Sequence, residues 1–201
     1  MEPVGTIVGR AAPLPLANVD TDQIIPKQFL KRVERTGFGE FLFHDWSADH
    51  EGEPDPGFVL NKPEYVDAVV LVAGPNFGSG SSREHAPWSL QDWGFEAIIA
   101  PSFADIFYNN CTKVGLLPIV LSADEIAALT VVADDPTNEV TIDLASQTVK
   151  ATGFSAIFEI EAFTKHSLLN GLDDVALTLA HAVQIDGYEE DRPAHKPTTG
   201  R

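Results

Sequence analysis

The chain has 201 residues, 44% hydrophobic and 21% charged, the balance of a globular protein with its own core, which argues against disorder or a disulfide scaffold for the body of the chain. Thirteen Lys and Arg against thirty Asp and Glu leave a net charge of −17, which argues against nucleic acid or an anionic membrane as a partner. A single cysteine, Cys111, excludes an intrachain disulfide and cannot by itself ligate an iron–sulfur cluster or a structural zinc.

The opening residues, Met1-Glu2-Pro3-Val4-Gly5, lack the basic and apolar regions of a signal peptide, and no run of ~18 apolar residues offers a membrane span, so a cytoplasmic protein is expected. Residues 6–10 read as a short strand, followed by a Pro-rich turn at Pro13 and Pro15 and a loop bearing Asn18, Asp20 and Asp22. Residues 27–43 mix basic and aromatic side chains and predict a short helix followed by a mobile loop, with Gly37 and Gly39 interrupting any longer helix. The acidic stretch 44–57, with Pro54 and Pro56, predicts an exposed loop.

Residues 66–73 form a nearly continuous β-branched apolar run, the pattern of a strand buried on both faces. A helix is expected over 84–93, stopping at Gly94, then a strand over 95–100, a helix over 103–114 ending at Gly115, and a strand over 116–121. This alternation predicts an α/β fold, a parallel or mixed central sheet flanked by helices. Ser122 and Glu125 form a capping-box pattern that opens a helix running to about residue 132. Residues 140–149 and 154–161 alternate as an antiparallel pair, a small additional β element, and 162–170 and 174–190 read as helices divided at Gly171. A single domain over 1–192 and a disordered polar tail over 193–201 are expected, without internal repeats.

The most informative stretch is the loop 74–85, which contains Gly78-Ser79-Gly80-Ser81-Ser82-Arg83-Glu84-His85 between a buried strand and a helix. Gly78 and Gly80 allow close approach of a ligand, and the following helix start directs unpaired N–H groups at it, which is the chemistry of an anion site. Ser81 and Glu84 repeat the capping-box pattern, so one serine is expected to cap the helix while its neighbour faces the cleft. A dinucleotide fingerprint is excluded because Arg83 stands where its third glycine belongs, and neither a P-loop lysine nor a nucleophile-elbow serine is present.

The run from Gly78 to Ala86 resembles the signature of the swivelling β/β/α domain of the aconitase superfamily. Asp20-Thr21-Asp22-Gln23-Ile24-Ile25-Pro26, Ala100-Pro101-Ser102-Phe103-Ala104-Asp105-Ile106-Phe107, Gly115-Leu116-Leu117-Pro118 and Gly171-Leu172-Asp173-Asp174 are similar to bacterial isopropylmalate dehydratase small subunits in particular, over nearly the whole chain. The resemblance implies the interconversion of 2- and 3-isopropylmalate by dehydration and rehydration, in leucine biosynthesis. It also implies a large-subunit partner that carries a [4Fe–4S] cluster, with neither metal nor cofactor bound by this chain.

Carried over by residue, the resemblance makes Ser81 the base on the carbon-bound proton, Arg83 a substrate-carboxylate ligand and Asp22 an acidic active-site residue. Lys31 and Arg32 fall where the family places a further cationic contact. Gly80 and Ser82 are expected to line the small dicarboxylate substrate. Two alternatives stay open on the sequence: a related hydro-lyase acting on citraconate, a methylmalate or homoaconitate, and a non-catalytic dicarboxylate-binding module.

Each of these residues also has an ordinary structural reading. A lone serine ahead of a helix is usually a cap, a lone arginine usually a solvated charge, and Asp20 and Asp22 suit Asx turns. Cys111 reads as a small buried hydrophobe, and His85 stands outside the catalytic set. Trp46, Trp88 and Trp93 read as core or subunit interface.

Overall fold

Strand β1 (Thr6–Gly9) and strand β2 (Ala11–Leu14) belong to different sheets although only Arg10 separates them. The structure, a computed structural model, describes residues 1–31, 36–49 and 51–193. The described residues form two four-stranded sheets. One is parallel, in the order β2, β3 (Val70–Ala73), β4 (Ala97–Ala100), β5 (Leu117–Val120). The other is antiparallel, in the order β1, β6 (Val140–Asp143), β7 (Thr148–Ala151), β8 (Phe154–Ile157).

Side chains alternate between the faces of a strand, and the parallel sheet uses both faces. Leu14, Leu71, Ala73, Ile98 and Ala100 face one core with Ala86 and Leu90 of helix α3 (His85–Trp93) and Phe107 and Cys111 of α4 (Asp105–Val114). Val70, Val72, Ala97, Ile99, Leu117 and Ile119 face the other, which they share with Ile7, Ile142, Val149 and Ala156 of the antiparallel sheet. The helix after β5, α5 (Ala123–Ala133), adds Ile126, Leu129 and Ala133 to this second core. Helices α3 and α4 thus cover one face of the parallel sheet, and the antiparallel sheet together with α5 covers the other, a β/β/α layering. The sheet ends that precede α3 and α4 are where the loop 74–85 and Phe103 meet, through the Phe77–Phe103 bridge.

Several expectations change. Pro13, expected in a turn, lies within β2 opposite Val72. Pro118 lies within β5, as the strand expected over 116–121 requires. Both strands are edges of the parallel sheet, where a missing N–H need not interrupt a ladder. The expected strand over 140–149 is a hairpin of β6 and β7, because the Asp143 carboxylate accepts from the N–H groups of Ala145 and Ser146 and turns the chain there. The expected helix over 174–190 is two, α7 (Asp174–Leu179) and α8 (Ala182–Glu190), the first ending in a tightened turn in which the His181 N–H reaches Thr178 O. Between them and α5 lies α6 (Ala162–Leu169).

The described part of the acidic stretch 44–57 is tied at two places: Trp46, within the one-turn helix α2 (His44–Ser47), stacks on buried Phe43, and Asn61 Nδ2 donates to Ser47 O and Asp55 O. Trp46, Trp88 and Trp93 are partly buried against the core. The expected helix after Pro26 is a 3₁₀ segment, Lys27–Lys31. Arg32 and most of the expected tail lie outside the described residues.

Candidate active site

The loop after β3 runs beside residues 18–21, stitched to them by backbone hydrogen bonds. Asn18 N–H donates to Pro75 O at 2.8 Å, Gly78 N–H to Val19 O at 2.8 Å, and Thr21 N–H to Ser79 O at 2.9 Å. Gly78, at φ +76°, is in the left-handed region, and a Cβ on it would meet Phe107 Cγ at 2.1 Å. The ring of Phe107 therefore packs directly on the loop backbone. Gly80, at φ +91°, has room for a side chain but a backbone that disfavours one.

The short helix α1 (Thr21–Ile24) starts at this seam, with Asp20 as its cap. The Asp20 carboxylate accepts from Gln23 N–H at 2.8 Å and Gln23 Oε1 accepts from Asp20 N–H at 2.8 Å. That reciprocal pair fulfils the structural reading of Asp20. The next acid along, Asp22, points to the loop: Arg83 Nη1 donates to Asp22 Oδ1 at 2.6 Å and Arg83 Nη2 to Oδ2 at 3.0 Å. This is a two-pronged guanidinium–carboxylate pair, the geometry expected for a bound substrate carboxylate, here met by a side chain of the same chain. The hydrogen bond from Arg83 holds the Asp22 carboxyl below its usual value, and the Lys27 charge adds to the effect. The Arg83 side chain is 16% exposed and that of Asp22 50%, so the pair sits at the surface with its arginine side sheltered.

Ser81 is exposed, and its hydroxyl makes no hydrogen bond to any described residue. It does not cap α3: that helix begins at His85, with Glu84 as a cap residue that makes no side-chain bond. The expected capping role for a loop serine is thus absent, because the glycine-shaped path brings Ser81 round too early to reach the helix end. Pro87, in the first turn of α3, removes one of the orphan N–H donors. Ser82 and Gly80 are also exposed beside Ser81.

His85 packs against aromatic rings, edge-on to Phe38 at 5.1 Å and 4.8 Å from Trp88, and this desolvation lowers its pKa. Lys31 is exposed at the end of its 3₁₀ segment and bonds to none of Asp22, Ser81 and Arg83. The residue overlooked by sequence reasoning is Thr21, whose side-chain oxygen contacts Ser81. It lies within the run Asp20 to Pro26 that carries the resemblance, but that run assigns it no role.

A family model described as Aconitase C-terminal domain matches residues 1–124. A 3-isopropylmalate dehydratase small subunit from Rubrobacter xylanophilus is 56% identical over 198 residues, 98% of this chain and 98% of its own length. The chain belongs to the aconitase C-terminal domain family and, within it, to the 3-isopropylmalate dehydratase small subunits. Another small subunit of that name, from Halalkalibacterium halodurans, is 54% identical over 193 residues, 96% of this chain and 100% of its own. The crystal structure of a 3-isopropylmalate dehydratase (leuD) from Methanocaldococcus jannaschii superposes with a TM-score of 0.67 at 30% identity, covering 90% of this chain and 99% of that one. The three-layer arrangement of this small subunit is therefore shared with a solved relative.

Members of the aconitase superfamily work with an iron–sulfur cluster, and this chain's residues do not fit one. Cys111 is wholly buried in the helix-side core, and burial pushes its thiol well up. Among the described residues no group of three or more His, Cys, Asp or Glu side chains could hold a metal ion. Nor is any helix among them long and apolar enough to cross a membrane.

Proposed function

We infer that this chain is the cytoplasmic small subunit of a 3-isopropylmalate dehydratase and supplies the base and a carboxylate-binding arginine for interconverting 2- and 3-isopropylmalate. The observation that carries the reading is one exposed patch: an unbonded Ser81 hydroxyl two residues from an Arg83 guanidinium already shaped around a carboxylate. The surface is open, so a second body is needed to exclude water above it. In this reading that body is the large subunit, which brings the cluster.

Arg83 exchanges the Asp22 carboxylate for one carboxylate of the substrate, which places the adjacent C–H against Ser81 Oγ. Ser81 Oγ takes that proton as the C–H bond breaks, the electron pair forms the alkene, and the hydroxyl on the neighbouring carbon leaves with its bonding pair as hydroxide, which the Lewis acid of the large subunit would take up. In the rehydration direction the same hydroxyl returns the proton to carbon. A serine oxygen acts as a base only where positive groups stabilise its charge, and Arg83 is the nearest to Ser81 in sequence. Released from Arg83, the Asp22 carboxylate is free to accept a hydrogen bond from substrate or partner. Gly80 and Ser82 border the substrate, and Lys31 and Arg32 would answer its second carboxylate.

Reconstitution with the large subunit tests this. The chain alone should show no turnover, and Ser81→Ala in the complex should lower kcat by about 10²–10⁴-fold with little change in substrate binding. Wild-type turnover by Ser81→Ala would remove the assignment of the base.

A further inference from the structure

Thr21 is 1% exposed, yet its hydroxyl spends both its capacities on one residue 60 positions away. Thr21 Oγ1 donates to Ser81 O at 3.1 Å and accepts from Ser81 N–H at 3.2 Å. A hydroxyl has one proton and two lone pairs, so both bonds form together. Bonding the N–H and C=O of the same residue fixes its rotation as well as its position, which either bond alone would leave loose. The β-branched side chain is stiff about its first torsion, so the clasp has little play.

We propose that Thr21 is the positioning residue for Ser81, its buried hydroxyl holding the Ser81 backbone so that Oγ meets the carbon whose carboxylate Arg83 grips. The inference rests on the reading of Ser81 as base. The cap of α1 does not need this hydroxyl, because Asp20 and Gln23 already complete it. The backbone of Thr21 is fixed separately by its N–H bond to Ser79 O. The neighbouring residue Asp22 holds Arg83, so two consecutive residues at the start of α1 set both groups, the hydroxyl through its backbone and the guanidinium through its fork. A misplaced base loses rate more than binding, because substrate affinity comes from the carboxylate contacts.

The test uses the reconstituted complex. Thr21→Val, which keeps the shape and removes both bonds, should lower kcat about tenfold or more while KM stays within about threefold. Thr21→Ser, which keeps the hydroxyl, should recover to within about threefold of wild type. On a Ser81→Ala background, Thr21→Val should add less than about a twofold loss, since the group it positions is gone. Should Thr21→Val fail to assemble, Thr21→Ala carries the same comparison, with the same kcat-only loss expected. Wild-type kcat in Thr21→Val or Thr21→Ala, or an undiminished loss on the Ser81→Ala background, overturns the positioning role. If Ser81→Ala is inactive in that experiment, the base assignment survives; if Ser81→Ala itself turns over normally, the base reading falls first and takes this inference with it.

Discussion

The chain contains the same four-residue capping pattern twice, and the two copies do opposite things. At Ser122 the pattern is a working capping box: Ser122 N–H donates to Glu125 Oε2 at 2.8 Å, and Glu125 N–H to Ser122 Oγ at 3.3 Å. At Ser81 the same spacing yields no side-chain bond, and the helix starts only at His85. The difference lies upstream. Ser122 follows a strand directly and enters its helix from an extended conformation, at φ −62° and ψ 157°. Ser81 follows two glycines at positive φ and is clasped from the side by Thr21, so its backbone path is set by a distant segment and not by the helix behind it. A local pattern predicts a cap only where local forces choose the path. Where tertiary contacts choose it, the serine is left free for chemistry.

Breaking the path should have the largest effect. Gly78→Ala adds a Cβ that would sit 2.1 Å from the Phe107 ring at a backbone angle of +76°, against a ring only 2% exposed. Strain and overpacking together should cost about 3 kcal/mol or more. For a chain of this size that is a fall in Tm of roughly 6–12 °C, and calorimetry would read it. Gly80→Ala shares the positive φ but meets nothing closer than Asp20 Cβ at 3.4 Å, so it should cost only about 1–2 kcal/mol. Equal costs for the two would mean that Phe107 does not shape the loop.

The cap comparison is sharpened by a matched pair of alanines. Ser122→Ala should cost about 1 kcal/mol of stability and leave turnover alone. Ser81→Ala should leave stability within about 0.5 kcal/mol and lower turnover about 10²–10⁴-fold. A denaturant titration of both variants decides it: a loss of stability in Ser81→Ala equal to that in Ser122→Ala would make Ser81 a cap after all.

The parallel sheet was legible because strands buried on both faces, such as Val70–Ala73, leave an unbroken apolar run. The edge strands were harder. Pro13 signals a turn and an edge strand alike, and only the register against Val72 distinguishes them. The glycines and the free serine could be located from the loop itself, but the partner of Arg83 lies 61 residues away at Asp22, and no periodicity carries that information. The resemblance placed both residues in one site without saying that they bond to each other. Thr21 stood inside a quoted motif without a role: between two aspartates it looks like one more polar loop residue, and what marks it is its burial, a property of the folded chain.

The smallest expected effect concerns the other contact that fixes this loop, the Arg83–Asp22 pair. Its contribution to stability should be about 1 kcal/mol or less, since Asp22 is half exposed and such pairs are screened by water and salt. Its sign with pH follows from the lowered Asp22 pKa. A carboxylate favoured in the folded state adds stability that is present above its unfolded value, about 3.9, and is lost as the pH falls through the lower folded value. Comparing Asp22→Asn with the parent chain isolates this group, because the other carboxylates with lowered values, Glu125 and Asp143 among them, titrate in both. The Tm gap between the two should be small at pH 7, hold to about pH 4 and close below it. A gap that widened on acidification would mean that Asp22 is stabilised in its protonated form, and the pair with Arg83 could not then be the preformed carboxylate site from which substrate displaces Asp22.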